Sequence, residues 1–262
     1  MGLLQGKRIL ITGVLTDASL AFAVARTAQQ EGAEVVLSGA GRGLSLTRRT
    51  ARKLPAEADV LEIDVTQPGQ LESAAATLSE KWDRMDGLLH AIGYAPPECL
   101  GEDMFQADWD QVQVALHVST YSLKALTEAF RPLLAAAGAN GGPGASVVGL
   151  DFDASVAWPA YAWMGVSKAA LESLSRYLAR DLGPENIRVN LVAAGPIKTM
   201  AAKSIPGFTG FEDTWAERAP LGWDVFNTDV VARACMALFS DLLPMTTGEI
   251  IHVDGGVHAV GA

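Results

Sequence analysis

Arg8-Ile9-Leu10-Ile11-Thr12-Gly13-Val14-Leu15-Thr16-Asp17-Ala18-Ser19-Leu20-Ala21 is the stretch on which the fold turns. A short apolar run leads into a glycine, and a serine then stands where a helix would begin. A strand, a Gly turn and a helix start make a site for a pyrophosphate. Unpaired N–H groups and the positive end of the helix both favour an anion there. The Gly-x-Gly-x-x-Gly fingerprint is absent, and only Gly13 matches it. Ser19 reads either as a helix cap or as a hydroxyl donor to a phosphate.

The alternation that begins there continues along the chain. Apolar, β-rich runs fall at Arg8–Ile11, Glu34–Leu37, Val60–Ile63, Gly87–His90, Ser146–Gly149, Arg188–Val192 and Ile250–Val253. Helical patterns lie between them at Leu20–Glu31, Leu44–Leu54, Gln70–Trp82, Trp109–Ala137, Tyr161–Leu182 and Asp229–Leu238. Continuous apolar strands separated by helices predict a parallel sheet covered on both faces. The expected fold is α/β: a Rossmann-like, doubly wound parallel sheet of about seven strands with helices on both faces. The pattern runs straight through the Gly-rich loop at Gly138–Ala145, so residues 1–262 read as a single dinucleotide-binding and catalytic domain. Gly195–Asp224 alone reads as long and irregular, and a segment of that kind is usually functional.

Composition narrows the function. A hydrophobic fraction of 49% suits a packed α/β protein and argues against disorder. The net charge of −10 argues against nucleic-acid binding, because an acidic surface repels a phosphate backbone. Any anionic ligand must be held by local donors. Two cysteines, Cys99 and Cys235, make no disulfide framework and read as reduced thiols. Residues 1–13 show no basic region followed by an apolar run, and no stretch reaches the ~20 apolar residues of a membrane span. A cytoplasmic protein with no metal site is expected.

Further candidates sit at strand ends. Ser38-Gly39-Ala40-Gly41-Arg42 carries no Asp or Glu to read a ribose hydroxyl, and Arg42 is either a reader of a 2′-phosphate or a solvated side chain. Asp64-Val65 follows the third run; Asp64 is either an acceptor for an adenine amino group or a turn cap. Ala91-Ile92-Gly93 follows the fourth run, and Gly93 would let the backbone approach a ribose. In Tyr161-Ala162-Trp163-Met164-Gly165-Val166-Ser167-Lys168, residues seven apart fall on one helix face two turns apart. Lys168 can then bind nicotinamide ribose hydroxyls, and Tyr161 can hydrogen-bond an oxygen that gains charge as a hydride arrives. The alternative is an amphipathic helix with a packed Tyr and an exposed Lys. Ala194-Gly195-Pro196-Ile197-Lys198-Thr199 is either an ordinary Gly-Pro turn or a clamp for the carboxamide, with Thr199 on a phosphate oxygen.

Taken in order, these segments resemble the short-chain dehydrogenase/reductase superfamily over essentially the whole length. Within it the chain is similar to the enoyl-acyl-carrier-protein reductases, particularly the mycobacterial InhA type. The discriminating stretches are Thr12-Gly13 through Ser19-x-Ala21, His90–Gly93, Gly149-Leu150-Asp151-Phe152-Asp153, the Tyr161-to-Lys168 spacing and Asn190–Ile197. Carbonyl-reducing relatives carry Tyr-x-x-x-Lys, and here Gly165 stands in the place of their Lys. The resemblance implies NADH as cofactor and hydride transfer to the β-carbon of a trans-2-enoyl thioester on acyl carrier protein or coenzyme A, in fatty-acid synthesis. It implies catalytic roles for Tyr161, Lys168 and Phe152, and substrate contacts from Phe152, Tyr161 and Met164. Gly13, Ser19, Leu20, Asp64, Val65, Ala91, Ile92, Gly93, Lys168, Ile197 and Thr199 would line the cofactor. Two positions depart from the mycobacterial type: Ala40 replaces an aromatic against the adenine, and Ala91 replaces a serine near the pyrophosphate. The segment Thr199–Trp215 is also shorter than in that type, which implies a reduced lid over the acyl crevice and short-to-medium acyl substrates. A homotetramer is implied, with Trp109–Ala137 and Tyr161–Leu182 in its interfaces.

The competing functions are a carbonyl or imine reductase of a specialised pathway and a catalytically silent dinucleotide sensor. The Tyr161–Lys168 spacing speaks against the first, and the intact Tyr–Lys pair against the second. An acidic carrier protein would need a local basic patch. Arg48, Arg49, Arg52 and Lys53 read as a solvated helix face, whereas Lys198 and Lys203 stand beside the lid.

Overall fold

The computed structural model describes residues 2–200, 202 and 205–261. Seven strands form one sheet: β1 (Arg8–Ile11), β2 (Glu34–Gly39), β3 (Val60–Glu62), β4 (Gly87–His90), β5 (Ala145–Asp151), β6 (Ile187–Ala194) and β7 (Ile250–Val253). Their order is β3-β2-β1-β4-β5-β6-β7, and every pairing is parallel. β1 is followed on one side by β2 and on the other by β4, so the strand order reverses there. The crevice at that reversal, outside the carboxyl ends of β1 and β4, is where such sheets bind ligands.

Alternate residues of each strand enter the two cores, as the period of two requires. Ile9 and Ile11 of β1, Val35 and Leu37 of β2, and Val192 and Ala194 of β6 join one core, with helices α1 (Leu20–Gln30) and α8 (Asp229–Phe239) packed on it. Leu10, Val36, Val189 and Leu191 join the other, under α3 (Pro68–Lys81), α5 (Ser122–Ala136) and α6 (Ala162–Leu182). Both faces of the sheet are therefore dry, which is why the central strands read as unbroken apolar runs.

Three helices complete the fold: α2 (Leu44–Ala51), α4 (Trp109–Leu116) and α7 (Phe208–Arg218). Two of the sequence expectations need correction. The expected single helix over Trp109–Ala137 is α4 and α5 joined by a π turn at His117–Tyr121. Gly195–Asp224 is not wholly irregular, because α7 lies inside it. Gly207 and Gly210 mask that helix, but Phe208, Phe211 and Trp215 fall at helical spacing, and Phe211 and Trp215 are buried. No helix among the described residues is long and apolar enough to cross a membrane.

Candidate active site

The carboxyl ends of β1 and β4 are stitched together at the strand reversal. Thr12 donates from its backbone N–H (3.1 Å) and its hydroxyl (2.8 Å) to the Leu89 carbonyl, and its Oγ1 accepts from Ala91 N at 3.1 Å. This brings Gly13 against Ala91. A Cβ on Gly13 would stand 2.0 Å from the Ala91 carbonyl oxygen, and its φ of +84° is one that side chains rarely adopt. Only glycine fits, and the turn that opens α1 depends on it.

Ser19 does not cap α1 with its side chain. Its Oγ instead accepts from Leu15 N (3.3 Å) and Thr16 N (3.1 Å), folding the loop back on the helix start. The hydroxyl proton stays free to donate. Thr47 and Thr50 of α2 donate to the carbonyls of Val14 and Leu15, at 2.6 and 2.9 Å, and hold the loop from its other side. Those two threonines were not singled out from sequence. Among the described residues the amides of Leu20 and Ala21 have no acceptor, so the first turn of α1 keeps donors for an anion.

Asp64 closes its own turn: Oδ1 accepts from Thr66 N (2.9 Å) and Thr66 Oγ1 (2.7 Å). Val65 is buried beside it, and Ile92 packs on the second core. Gly93 is exposed, and a Cβ there would meet nothing nearer than Ser119 Oγ at 3.9 Å, so no protein contact demands the glycine. Ala40 and Gly41 bring no side-chain donor to the end of β2, and Arg42 is exposed.

Tyr161 is the residue that precedes α6 rather than the first within it. Its neighbours Ala160 (φ 58°) and Ala162 (φ 38°) both have left-handed backbone. Each costs about 1–3 kcal/mol for a residue with a side chain, and strain of this kind gathers at functional sites. The Tyr161 ring packs edge-on to Phe152, 5.1 Å between centroids. Phe152 directly follows β5, and Lys168 reaches the same strand end from α6. Its Nζ donates to the Leu150 carbonyl at 2.9 Å and lies 3.9 Å from Asp151 Oδ1. The Tyr–Lys pair and Phe152 thus meet at the carboxyl end of β5. Met164 stands on the other side of α6's first turn, against a cluster formed by Ala95, Cys99, Leu100, Val112 and Ala115.

Burial sets the charges here. It pushes the Tyr161 phenol up, helped by the Asp151 charge, so the hydroxyl remains a donor at neutral pH. It pulls the Lys168 ammonium down, against the attraction of Asp151. His90, at the end of β4, is pushed down to about 3 by burial and by Lys168. It is a neutral imidazole bonded to Ser122 Oγ at 2.7 Å.

Ile197 is buried, and Thr199 Oγ1 accepts from Ala202 N at 3.1 Å, with no acceptor for its own proton among the described residues. Two tryptophans missed in the sequence reading lock this loop. Trp223 Nε1 donates to Pro196 O at 2.8 Å, and Trp215 Nε1 donates to Asp254 O at 2.9 Å. A Cβ on Gly195 would strike Trp215 and Trp223 at 2.7 and 2.8 Å. A buried indole N–H needs an acceptor, and that rule is the signal that could have marked them. Phe211 of α7 lies 5.5 Å from Phe152 and 6.3 Å from Tyr161 between ring centroids. Phe211 and Trp158 form a wall. Behind it a cavity of about 700 Å3 opens between α7 and the Val257–Gly261 turn.

Lys198 is paired with Glu212 of α7 at 2.8 Å, so it is not a free cation for a partner. Lys203 lies outside the described residues. Arg48 and Arg49 are exposed, and Lys53 is bonded to Asp17. Among the described residues no group of three or more His, Cys, Asp or Glu could hold a metal ion.

These residues fit a dinucleotide. A cradle that only glycine permits faces free helix-start amides, and a buried lysine and a protonated tyrosine stand across the crevice. A family model described as enoyl-(acyl carrier protein) reductase matches residues 13–258. A protein of Mycolicibacterium smegmatis named enoyl-acyl-carrier-protein reductase (NADH) is 42% identical, covering 97% of this chain and 97% of its own. One of the same name from Mycobacterium avium is 41% identical, with 97% of each chain covered. One from Neisseria meningitidis is 38% identical, covering 98% of this chain and 96% of its own.

Replacing Gly13 by alanine should lower affinity for a reduced nicotinamide dinucleotide by at least about tenfold, roughly 1.4 kcal/mol. Gly69→Ala, where a Cβ meets nothing within 4 Å, should leave it unchanged. Fluorescence titration of the two variants checks this; equal affinities would contradict the cradle.

Proposed function

The chain belongs to the enoyl-(acyl carrier protein) reductase family, and we propose that it uses NADH to reduce the trans-2 double bond of enoyl thioesters in fatty-acid synthesis. The thioester is carried on acyl carrier protein or coenzyme A. One observation carries the reading: Tyr161, Phe152 and Lys168 converge at the carboxyl end of β5, with a dinucleotide cradle across the crevice at Gly13.

The nicotinamide, when bound, supplies the hydride that adds to the β-carbon of the enoyl thioester. Tyr161 donates a hydrogen bond to the thioester oxygen as it takes on enolate charge. Its raised pKa suits a group that must donate without ionising. Lys168 holds the ribose hydroxyls and presents a positive charge behind the phenol. Phe152 flanks the thioester and excludes water from the reacting face. A solvent proton then adds at the α-carbon of the enolate and yields the saturated acyl chain. Ser19, the amides of Leu20 and Ala21, and Thr199 serve the pyrophosphate, each with a proton to donate. Ile197 and the Gly195–Pro196 backbone, held by Trp215 and Trp223, form the carboxamide side. Asp64, Val65, Ala91, Ile92 and Gly93 line the adenosine and ribose path.

Gly165 weighs against carbonyl reduction of the usual kind. Carbonyl-reducing relatives place their lysine there, and a glycine brings no ammonium to that position. The aromatic wall supports a preference for short and medium acyl chains. Phe211 stands beside the Tyr161 ring and, with Trp158, lines the cavity beyond, so a long chain directed into that cavity would meet both rings. Residues 195–224, with α7, would cover the acyl chain. A homotetramer in the cytoplasm completes the reading. Trp109, Val114 and Tyr121 on the α4–α5 segment and Tyr177 on α6 are large apolar side chains left exposed, and they suit helix-to-helix contacts between copies.

Purified protein with trans-2-octenoyl-CoA should consume NADH faster than NADPH. Tyr161→Phe should lower kcat by roughly 10²–10³ with NADH affinity nearly unchanged. Normal turnover in that variant would remove Tyr161 from the mechanism. Across enoyl-CoA substrates, kcat/KM should peak at short to medium length. Phe211→Ala should raise the hexadecenoyl rate relative to octenoyl by about tenfold, roughly 1.4 kcal/mol, a modest share of the roughly 6 kcal/mol that eight further methylenes contribute when buried at ~0.8 kcal/mol each. A wild-type rate that climbs steadily to hexadecenoyl would contradict the wall. Light scattering should give a mass near four copies of the 27.6 kDa chain; a monomer would contradict the tetramer.

A further inference from the structure

Asp151 is a buried charge to which the reaction above gives no task. It ends β5, its side chain is fully buried, and among the described residues neither carboxylate oxygen has a well-formed hydrogen bond, the adjoining Phe152 N–H being the one backbone donor that favours its charge. A buried acceptor with no donor is costly, and a buried carboxylate more so. Asparagine has nearly the same shape and no charge, so packing alone does not call for an aspartate.

The groups around it explain the placement. Lys168 of α6 is the nearby cation, its Nζ 3.9 Å from Asp151 Oδ1. That ammonium is itself buried, and its one described hydrogen bond goes to the Leu150 carbonyl at 2.9 Å. Glu172 of α6 and Asp153 beyond β5 add negative charge around Asp151, and the Tyr161 phenol feels the Asp151 charge. Glu172 is occupied by Ala154 N at 3.0 Å. His252 of β7 lies 3.8 Å from Asp153. His90 of β4 feels the Lys168 charge and is neutral.

We propose that Asp151 is a positioning residue: its carboxylate is the counter-charge that keeps the Lys168 ammonium charged and held at the end of β5, where it meets the cofactor ribose. The inference rests on the reading of Lys168 as the cofactor-binding lysine. Lys168 needs such a partner because burial alone drives an ammonium toward its neutral form. Asp151 acts through charge at short range rather than through a hydrogen bond, which leaves the Nζ protons free for the ribose.

Its pH behaviour follows. Burial raises the Asp151 carboxyl to about 7, with Lys168 and the Phe152 backbone N–H opposing the rise and Glu172 and Asp153 adding to it. A carboxyl raised in the folded state favours the folded protein while protonated. That stability is fully present below the ordinary value of 3.8 and is lost as pH rises through about 7. Asp151 therefore costs stability at the pH where it is ionised and useful to Lys168.

The test is Asp151→Asn, compared with wild type in NADH affinity, kcat/KM for trans-2-octenoyl-CoA and Tm, each across pH. In wild type, affinity and kcat/KM should rise as pH increases through about 7. In the variant that limb should be absent, with values above it about tenfold below wild type. The Tm of the variant should exceed that of wild type above about pH 7, and the gain should vanish below 3.8. An unchanged limb, or a variant less stable at every pH, would overturn the proposal. A wild type that binds NADH but reduces no enoyl thioester would instead sink the functional reading.

Discussion

The site is built on one buried bond, from the Lys168 ammonium to the Leu150 carbonyl at the end of β5. Taking an ammonium out of water costs several kcal/mol unless it is bonded and paired. The carbonyl offsets part of that cost and ties α6 to the strand, while the Asp151 charge, itself costly to bury, favours the charged form of the ammonium. With Lys168 held there, Tyr161 seven residues earlier is brought back to the same strand end, beside Phe152. The left-handed backbone at Ala160 and Ala162 is strain located at that point of the chain. A helix placed only by apolar packing could slide or rotate slightly. A helix anchored by a buried charge has less freedom, and a reaction that needs a hydroxyl at one spot depends on that.

The opposite wall solves a different problem. The chain carries a net charge of −10, yet its family uses a ligand with a pyrophosphate. Long-range field does not help, so local donors must do so. The sheet supplies them at the strand reversal, where Thr12 stitches β1 to β4 and Gly13 lies too close to Ala91 for any side chain. Ser19, Thr47 and Thr50 then hold the loop in shape while the first amides of α1 stay free. Rigidity on one side and open donors on the other come from the same few residues.

Much of this was legible in the sequence. The seven strands could be read because a sheet dry on both faces leaves unbroken apolar runs, and the Tyr161–Lys168 spacing is visible in a line of text. What escaped depends on neighbours distant in sequence. Helix α7 was hidden by Gly207 and Gly210, and with it went Phe211, which packs against Phe152 and Tyr161. The π turn at His117–Tyr121 keeps a helical pattern, so it reads as an unbroken helix. Ser19 looks like a cap, yet its oxygen is spent on the loop amides. The isolation of Asp151 cannot be read at all from residue types, because it is a matter of which donors fail to reach it. Met164 lies where a substrate-facing residue can lie, but its packing partners come from Ala95 to Ala115.

The central claim concerns where the hydride goes, and an isotope label tests it most directly. NADH carrying deuterium at the transferring position would be reacted with trans-2-octenoyl-CoA in ordinary water, and the product examined by mass spectrometry and NMR. Deuterium at the β-carbon of a saturated acyl chain, with a solvent proton at the α-carbon, is the predicted result. Deuterium on a carbon bearing a hydroxyl, formed from a ketone offered in parallel while the enoyl thioester stays intact, would contradict it.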